Sequence, residues 1–376
     1  MTLYLNTKRQ YENYKELSQE KYFVDKSEII SIINENISTK SKYICVTRPR
    51  RFGKSSVADM LGAYYSKVVD SKVIFDKLKI SKNDDYLEKL NKYNVISISF
   101  AEIDSNCSNC VEYIDRISNL LREDLKEKFP NANIDEKYTI WEVFSKLDEK
   151  FIFIFDEWDY IFNANIFEED QDKFLEFLMK LLKDKPYVAL AYMTGILPIK
   201  KYSSGSSLNM FDEFTFLKDR IYDKYFGFTE SEVEELCKKN ADIDFNELEK
   251  WYNGYLTAKG IRIYNPRSVV KALQNSYCTS YWTNTGAMDE VEEYLKYNIL
   301  EIRDEVIEMV SGEEIDIFID EEFRAGQGTP KTKEEIYSAM IVLGFLSYHD
   351  GYLKIPNKEL MKEFEKALSD ESFGWK

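Results

Sequence analysis

The chain has 376 residues, 44% hydrophobic and 15% aromatic, with only 14 glycines and 7 prolines; this excludes a low-complexity or disordered protein and allows two or three packed domains. A formal net charge of −16 argues against a general nucleic-acid-binding surface, while leaving room for a local basic patch. The single histidine, His349, removes H-E-x-x-H protease and Ser-His-Asp hydrolase chemistry, and the five scattered cysteines suggest no disulfide framework. Cys107 and Cys110 have zinc-knuckle spacing, but no second cysteine pair follows. No run of 18 apolar residues occurs and the N-terminus is polar, so the expectation is a soluble, cytoplasmic protein without membrane contact.

In chain order, Tyr22–Ser27 leads into an expected helix from about Ser27 to Asn36, with Ser27 opening it ahead of Ile29, Ile30, Ile32 and Ile33. Asp25 and Lys26 either lie near a nucleotide base or form a solvated turn, and the turn is favoured. Tyr43–Thr47 is short, apolar and β-branched, as a buried parallel strand should be. After it comes Arg48-Pro49-Arg50-Arg51-Phe52-Gly53-Lys54-Ser55-Ser56, which matches the second half of the phosphate-binding pattern G-x-x-x-x-G-K-[ST], with Arg48 where the first glycine should be. A helix should follow, since Val57, Met60, Leu61, Tyr64 and Tyr65 share one helical face. Its positive end would point at phosphates, with Lys54 on the outer phosphates and the Ser55 hydroxyl on Mg²⁺. Lys42 to Lys54 holds five cations and no acid: an anion-binding patch, with internal pairing of Arg50 and Arg51 as the alternative.

A second core strand is expected at Val95–Phe100 and a helix at Val111–Phe129, ended by Pro130. Phe151–Glu157 is a run of five apolar residues closed by two carboxylates, which puts charge at the carboxyl edge of a buried strand, where ligands bind in open α/β sheets. Asp156 would hold Mg²⁺ and Glu157 would activate a water against the terminal phosphate. A third strand, Tyr187–Met193, ends at Thr194, the candidate sensor of the γ-phosphate, after a helix carrying Phe174, Leu175, Phe177, Leu178, Leu181 and Leu182. Alternating strands and helices imply a parallel sheet wrapped by helices.

These stretches, together with Thr194–Ile199, Leu208–Phe211, Trp251–Tyr255, Tyr264–Pro266 and Ile355–Asn357, resemble the bacterial AAA-ATPase-like family over nearly the whole chain. The resemblance accounts for the missing first glycine as the family's own variant. It implies an α/β fold: a P-loop NTPase core (AAA/STAND-like) with a parallel sheet and helices on both faces at 1–228, a helical lid at 229–305 and a winged-helix-like module at 306–376. It implies ATP and Mg²⁺ as ligands, with Lys54, Ser55, Asp156 and Glu157 in the roles given above. Many family members continue into a PD-(D/E)XK nuclease domain; no Glu-x-Lys occurs in this sequence, so cleavage is not expected from it and the output is left unassigned. A non-catalytic nucleotide-gated scaffold is the alternative to a working ATPase, which by analogy with the nuclease-linked members would serve mobile-element or phage-defence machinery.

Beyond the core, Phe226–Glu230 should be a last core strand passing into a helix, with Thr229 and Glu232 as a capping box. Trp251–Tyr255 and Tyr281–Gly286 either stack on a base or bind a partner, or pack in the core, the favoured reading. Tyr264–Ser268 should begin a helix that could bring Arg267 to the nucleotide, with a solvated arginine as the default. Strands are expected at Ile315–Asp320 and Tyr352–Ile355, and helices at Glu334–Leu346 and Asn357–Leu368. The acids Glu313, Glu314, Asp316, Asp320, Glu321 and Glu322 oppose phosphate contact there, so a protein partner or self-association is expected, with weak or absent DNA binding.

Overall fold

A computed structural model describes residues 2–103, 106–199, 208–240, 242–282, 302–319 and 332–369. The chain divides into two compact units, one of Met1–Thr47 and Lys54–Glu213, the other of Arg48–Gly53 and the described residues from Phe214 onward.

The first unit is built on a five-stranded sheet. Its strands are β1 (Tyr43–Thr47), β2 (Asn94–Ser99), β3 (Phe151–Asp156), β4 (Val188–Gly195) and β5 (Asp212–Phe214), in the order β2-β3-β4-β1-β5. The pairs β2/β3, β3/β4 and β4/β1 are parallel. Residues Phe151 to Phe155 of β3 are all buried, so both faces of the sheet are covered. On one face the Phe151 and Phe153 rings meet Phe144, and Phe155 meets Phe100, which in turn meets Phe174. Ile152 and Ile154 alternate to the other face. The helices are α1 (Arg9–Ser18), α2 (Ile29–Asn34), α3 (Lys54–Tyr65), α4 (Cys110–Lys128), α5 (Ile140–Lys146) and α6 (Gln171–Leu182), besides shorter turns. Helix α3 packs on α1 and on β2, β3 and β4.

The N-terminal residues are fixed by one acid. Asp124 on α4 accepts the backbone N–H groups of Leu3, Tyr4 and Leu5 at 2.6–2.8 Å, and Leu5 bridges antiparallel to Ile96. Ser27 does not open α2. Its N–H is bonded to Asp25 Oδ1 and its hydroxyl accepts the Ile80 N–H, so it sits in a turn and the helix starts two residues later. Asp25 also accepts the Lys79 N–H, a turn role rather than one beside a base.

Among its described residues the second unit carries two small antiparallel sheets. β6 (Phe228–Thr229), β7 (Tyr255–Leu256) and β8 (Arg262–Tyr264) are ordered β6-β8-β7. Phe226–Glu230 therefore supplies no core strand: β6 pairs with β8, and the fifth core strand is the three-residue β5, too short to show a period. The Thr229–Glu232 capping box does open α7 (Glu230–Cys237). Helices α8 (Phe245–Tyr252) and α9 (Pro266–Asn275) follow, α9 with Asn265 as N-cap and proline at its first position. Trp251, Tyr252 and Tyr255 are buried, which favours packing over base stacking. Residues 283–286 of the Tyr281–Gly286 stretch lie outside the described residues, as do Asp320, Glu321 and Glu322.

The remaining elements are α10 (Ile302–Val310), β9 (Ile315–Asp316), α11 (Lys333–Leu343), β10 (Ser347–His349), β11 (Tyr352–Lys354) and α12 (Lys358–Ser369), with strand order β10-β11-β9. Of the expected strand at Ile315–Asp320, the described residues form a strand only at Ile315–Asp316, which pair with Leu353 and Tyr352 of β11. The expected helix to Leu346 ends at Leu343, where Gly344 turns left-handed at φ +88° and caps it.

Candidate functional site

The turn between β1 and α3 has two residues in the left-handed region, Arg51 at φ +71° and Gly53 at φ +88°. Gly53 is the residue suited to that conformation, whereas Arg51 adopts it at a cost of order 1–3 kcal/mol. No acid lies in the first turn of α3, whose N–H groups and dipole make it receptive to an anion. Lys54, its first residue, is buried to 8% exposure, Ser55 is exposed and Ser56 half-buried.

Within the second unit, the loop's larger side chains are structural. The Arg48 guanidinium is 1% exposed; it donates to Asp219 and to the Phe214 carbonyl at 2.7 Å, and lies 4.9 Å from the Phe226 ring centre. Asp219 also accepts the N–H groups of Ile221 and Tyr222. Phe52 is fully buried edge-on to Phe216 and Tyr255, and its carbonyl accepts the Gly227 N–H at 2.9 Å. Pro49 is buried, Arg50 half-buried and Arg51 exposed.

Within the first unit, β4 lies between β1 and β3, with Thr194 opposite Val46 and Met193 opposite Phe155. The carboxyl ends of all three strands, and with them the start of α3, thus come to one edge of the sheet. There the Thr194 hydroxyl donates to Asp156 Oδ1, the Trp158 N–H donates to the Thr194 carbonyl at 3.1 Å, and Glu157 follows Asp156 with φ +51°. A residue not singled out in the sequence completes the lacing. The buried Asp159 carboxylate accepts the N–H groups of Ile196 at 2.8 Å and Leu197 at 2.6 Å. Burial pushes its pKa up, while those two N–H groups and the charge of Lys54 hold it down. Nothing in the string Asp156-Glu-Trp-Asp159 distinguishes its last acid; its role depends on the turn after β4.

The donor set at this edge consists of hard oxygens, the Ser55 hydroxyl and the Asp156 carboxylate. Among the described residues no group of three or more His, Cys, Asp or Glu side chains is arranged to hold a metal. Hard oxygens are the donors Mg²⁺ takes, one or two from a protein beside waters and phosphate oxygens. Arg267 lies in the second unit as the second residue of α9, half-buried.

A buried parallel strand, a Gly-Lys-Ser turn opening a helix, and a second strand of the same sheet, one place removed, that ends at Asp156 just before Glu157 define a P-loop ATPase-like, nucleotide-binding α/β protein. The model of the family described as Predicted AAA-ATPase matches residues 10–204, and the chain belongs to that family. Among solved structures it is similar to the Walker-type ATPase PABY2304 of Pyrococcus abyssi, at 16% identity and a TM-score of 0.47 over 90% of this chain and 94% of that one. It is also similar to the Aeropyrum pernix ORC2 protein, solved as ADPNP–ADP complexes, at 10% identity and a TM-score of 0.38 over 92% and 93% of the two chains. For Cdc6p from Pyrobaculum aerophilum the values are 12% identity and 0.32, over 92% and 93%. No curated protein matches this chain. No helix among the described residues is long and apolar enough to cross a membrane.

Proposed function

We propose that the protein binds and hydrolyses ATP with Mg²⁺ as a conformational switch. The observation that carries this reading is the meeting of Lys54 and Ser55, at the start of α3, with the end of β3 at one sheet edge, since β4 alone separates β1 from β3. The ammonium of Lys54 reaches the outer phosphates, backbone N–H groups of the turn from Arg48 to Ser56 cradle the others, and Ser55 and Asp156 hold Mg²⁺. Magnesium, when bound, neutralises charge on the phosphate oxygens. Glu157 orients a water and takes its proton as the water oxygen bonds to the γ-phosphorus. The bond from that phosphorus to the bridging oxygen breaks, and its electron pair leaves with ADP. Thr194 holds the Asp156 carboxylate in place.

A switch is favoured over a simple hydrolase because loop residues 48–53 are built into the second unit, through Arg48 and Phe52. A loop that responds to phosphate can then change that unit's packing. The winged-helix-like character of 306–376, and Arg267 as a nucleotide sensor, belong to the same proposal.

Two variants test it. Lys54→Ala, checked for folding, should lose MgATP affinity by about tenfold or more in calorimetry, since it removes a charge-assisted contact. Glu157→Gln should bind MgATP while phosphate release falls on the order of 10²-fold. Unchanged affinity in Lys54→Ala would refute the site. Wild-type release no greater than that of Glu157→Gln would leave the nucleotide-gated scaffold as the function.

A further inference from the structure

Helix α1 is tied to the P-loop helix more closely than ordinary packing requires. Gln10 lies against Gly62 of α3, where an added Cβ would come within 2.7 Å of its Cγ, and its amide donates to Ser97 Oγ of β2 at 2.6 Å. This close approach fixes the register of α1 along α3. One turn further along α1, the Asn13 amide donates to Asp59 Oδ2 at 3.1 Å. Asp59 is four residues beyond Ser55 on α3 and so shares its helical face. Arg9, at the start of α1, forms an ion pair with Glu102, just beyond β2, and the side chains of both are about half exposed.

Glu102 follows the end of β2, where Ser99 lies opposite Asp156 of β3, so the Arg9–Glu102 pair belongs to the edge that carries Asp156. Burial pushes the Asp59 carboxyl up to about 7; the Asn13 amide opposes this, the negative charge of Asp156 adds to it and Arg9 opposes it. The Arg9 guanidinium is stabilised by its bond to Glu102, and further by the charges of Glu102, Asp59 and Asp156. Arg9 is thus bonded to Glu102 and feels, through the field alone, the carboxylates of Asp59 on α3 and Asp156 on β3.

Building on the magnesium–nucleotide reading above, we propose that Asp59 and Arg9 are positioning residues that set the magnesium requirement of the site from opposite sides. Asp59 adds negative charge on the Ser55 face of α3 and draws the divalent ion. Arg9 is a built-in counter-cation that quiets the repulsion among Asp59, Asp156 and Glu102 before the ion arrives, and thereby competes with it. Neither residue needs to touch the metal, because a unit charge several ångströms away changes divalent affinity through the field alone. The two substitutions therefore act in opposite directions, an outcome that a purely structural role for α1 would not give.

The experiment titrates Mg²⁺ into the full chain at about pH 8.5, where the Asp59 carboxyl is ionised, with a fluorescent ATP analogue and reads analogue binding, so no turnover is needed. Asp59→Asn, which keeps an oxygen for the Asn13 amide, should raise the Mg²⁺ midpoint about three- to tenfold, and Arg9→Ala should lower it by a similar factor. Arg9→Lys should leave it near wild type. Thermal melts of each variant report folding separately. Midpoints unchanged in both charge variants, or moved the same way with a lowered melting temperature, would overturn the inference while magnesium-dependent binding by wild type keeps the functional reading intact. Absence of analogue binding by wild type at any Mg²⁺ concentration would sink the functional reading itself and this inference with it.

Discussion

The Thr194 hydroxyl donates to Asp156 Oδ1 across two adjacent parallel strands, 38 positions apart in the chain. Thr194 is fully buried and its carbonyl accepts the Trp158 N–H, so the end of β4 holds both sides of the turn that carries Asp156 and Glu157.

Thr194→Val, nearly isosteric, deletes that donor and nothing larger. It should cost about 1 kcal/mol of stability and weaken Mg²⁺-dependent nucleotide binding several-fold, while Thr194→Ser stays close to wild type. The check is calorimetric nucleotide affinity with Mg²⁺ and with a chelator. Equal losses under both conditions would show that Thr194 acts independently of the metal side.

Arg48 occupies the position of the first P-loop glycine. Its guanidinium is bonded to Asp219 and to the Phe214 carbonyl, all inside the second unit. Arg48→Gly, which restores the glycine pattern, should therefore destabilise rather than improve the protein, by about 3–5 kcal/mol, because it strands a buried carboxylate. Arg48→Lys should recover little, since an ammonium cannot serve both acceptors in the planar geometry of the fork. Denaturant unfolding followed by tryptophan fluorescence reads the effect, and a melt indistinguishable from wild type would contradict it.

Glu359 on α12 accepts the backbone N–H groups of Tyr281 at 2.7 Å and Trp282 at 2.9 Å, and the Ser268 hydroxyl at 2.9 Å. Burial nevertheless pushes its carboxyl from 4.5 up to about 7, and the charge of Glu363 adds to the rise. With the folded pKa above the unfolded one, the folded state keeps a proton that the unfolded chain has released. This group's contribution to stability is thus full below the unfolded pKa and falls as pH rises toward about 7, by on the order of 3 kcal/mol. Glu359→Gln keeps one oxygen for the two N–H groups and offers its amide to Ser268, so its unfolding midpoint should vary less between about pH 5 and pH 7. Parallel pH profiles for the two proteins would disprove this.

Much of the site was legible because its signals are local. The short, mostly apolar Tyr43–Thr47, the Gly53-Lys54-Ser55 turn, the helical spacing from Val57 to Tyr65 and the Phe151–Asp156 run each depend on neighbours a few positions away. The capping box at Thr229 and the Asn265–Pro266 helix start were legible for the same reason. Ser27 misled because its hydroxyl is used by Ile80, 53 positions away, instead of by the helix beside it.

What the sequence by itself determined was therefore the presence and order of the strand, phosphate turn, helix and acidic strand end, since backbone preference and hydrophobic period act within a turn or two of chain. Tertiary structure alone decided that β4 lies between β1 and β3, that Thr194 serves Asp156, that Arg48 is spent on Asp219 at a separation of 171 residues, and that α1 brings Asn13 to Asp59. Those relationships join residues far apart in the chain, and a charge or hydroxyl carries no local mark of the partner it will meet once the chain between them has been ordered.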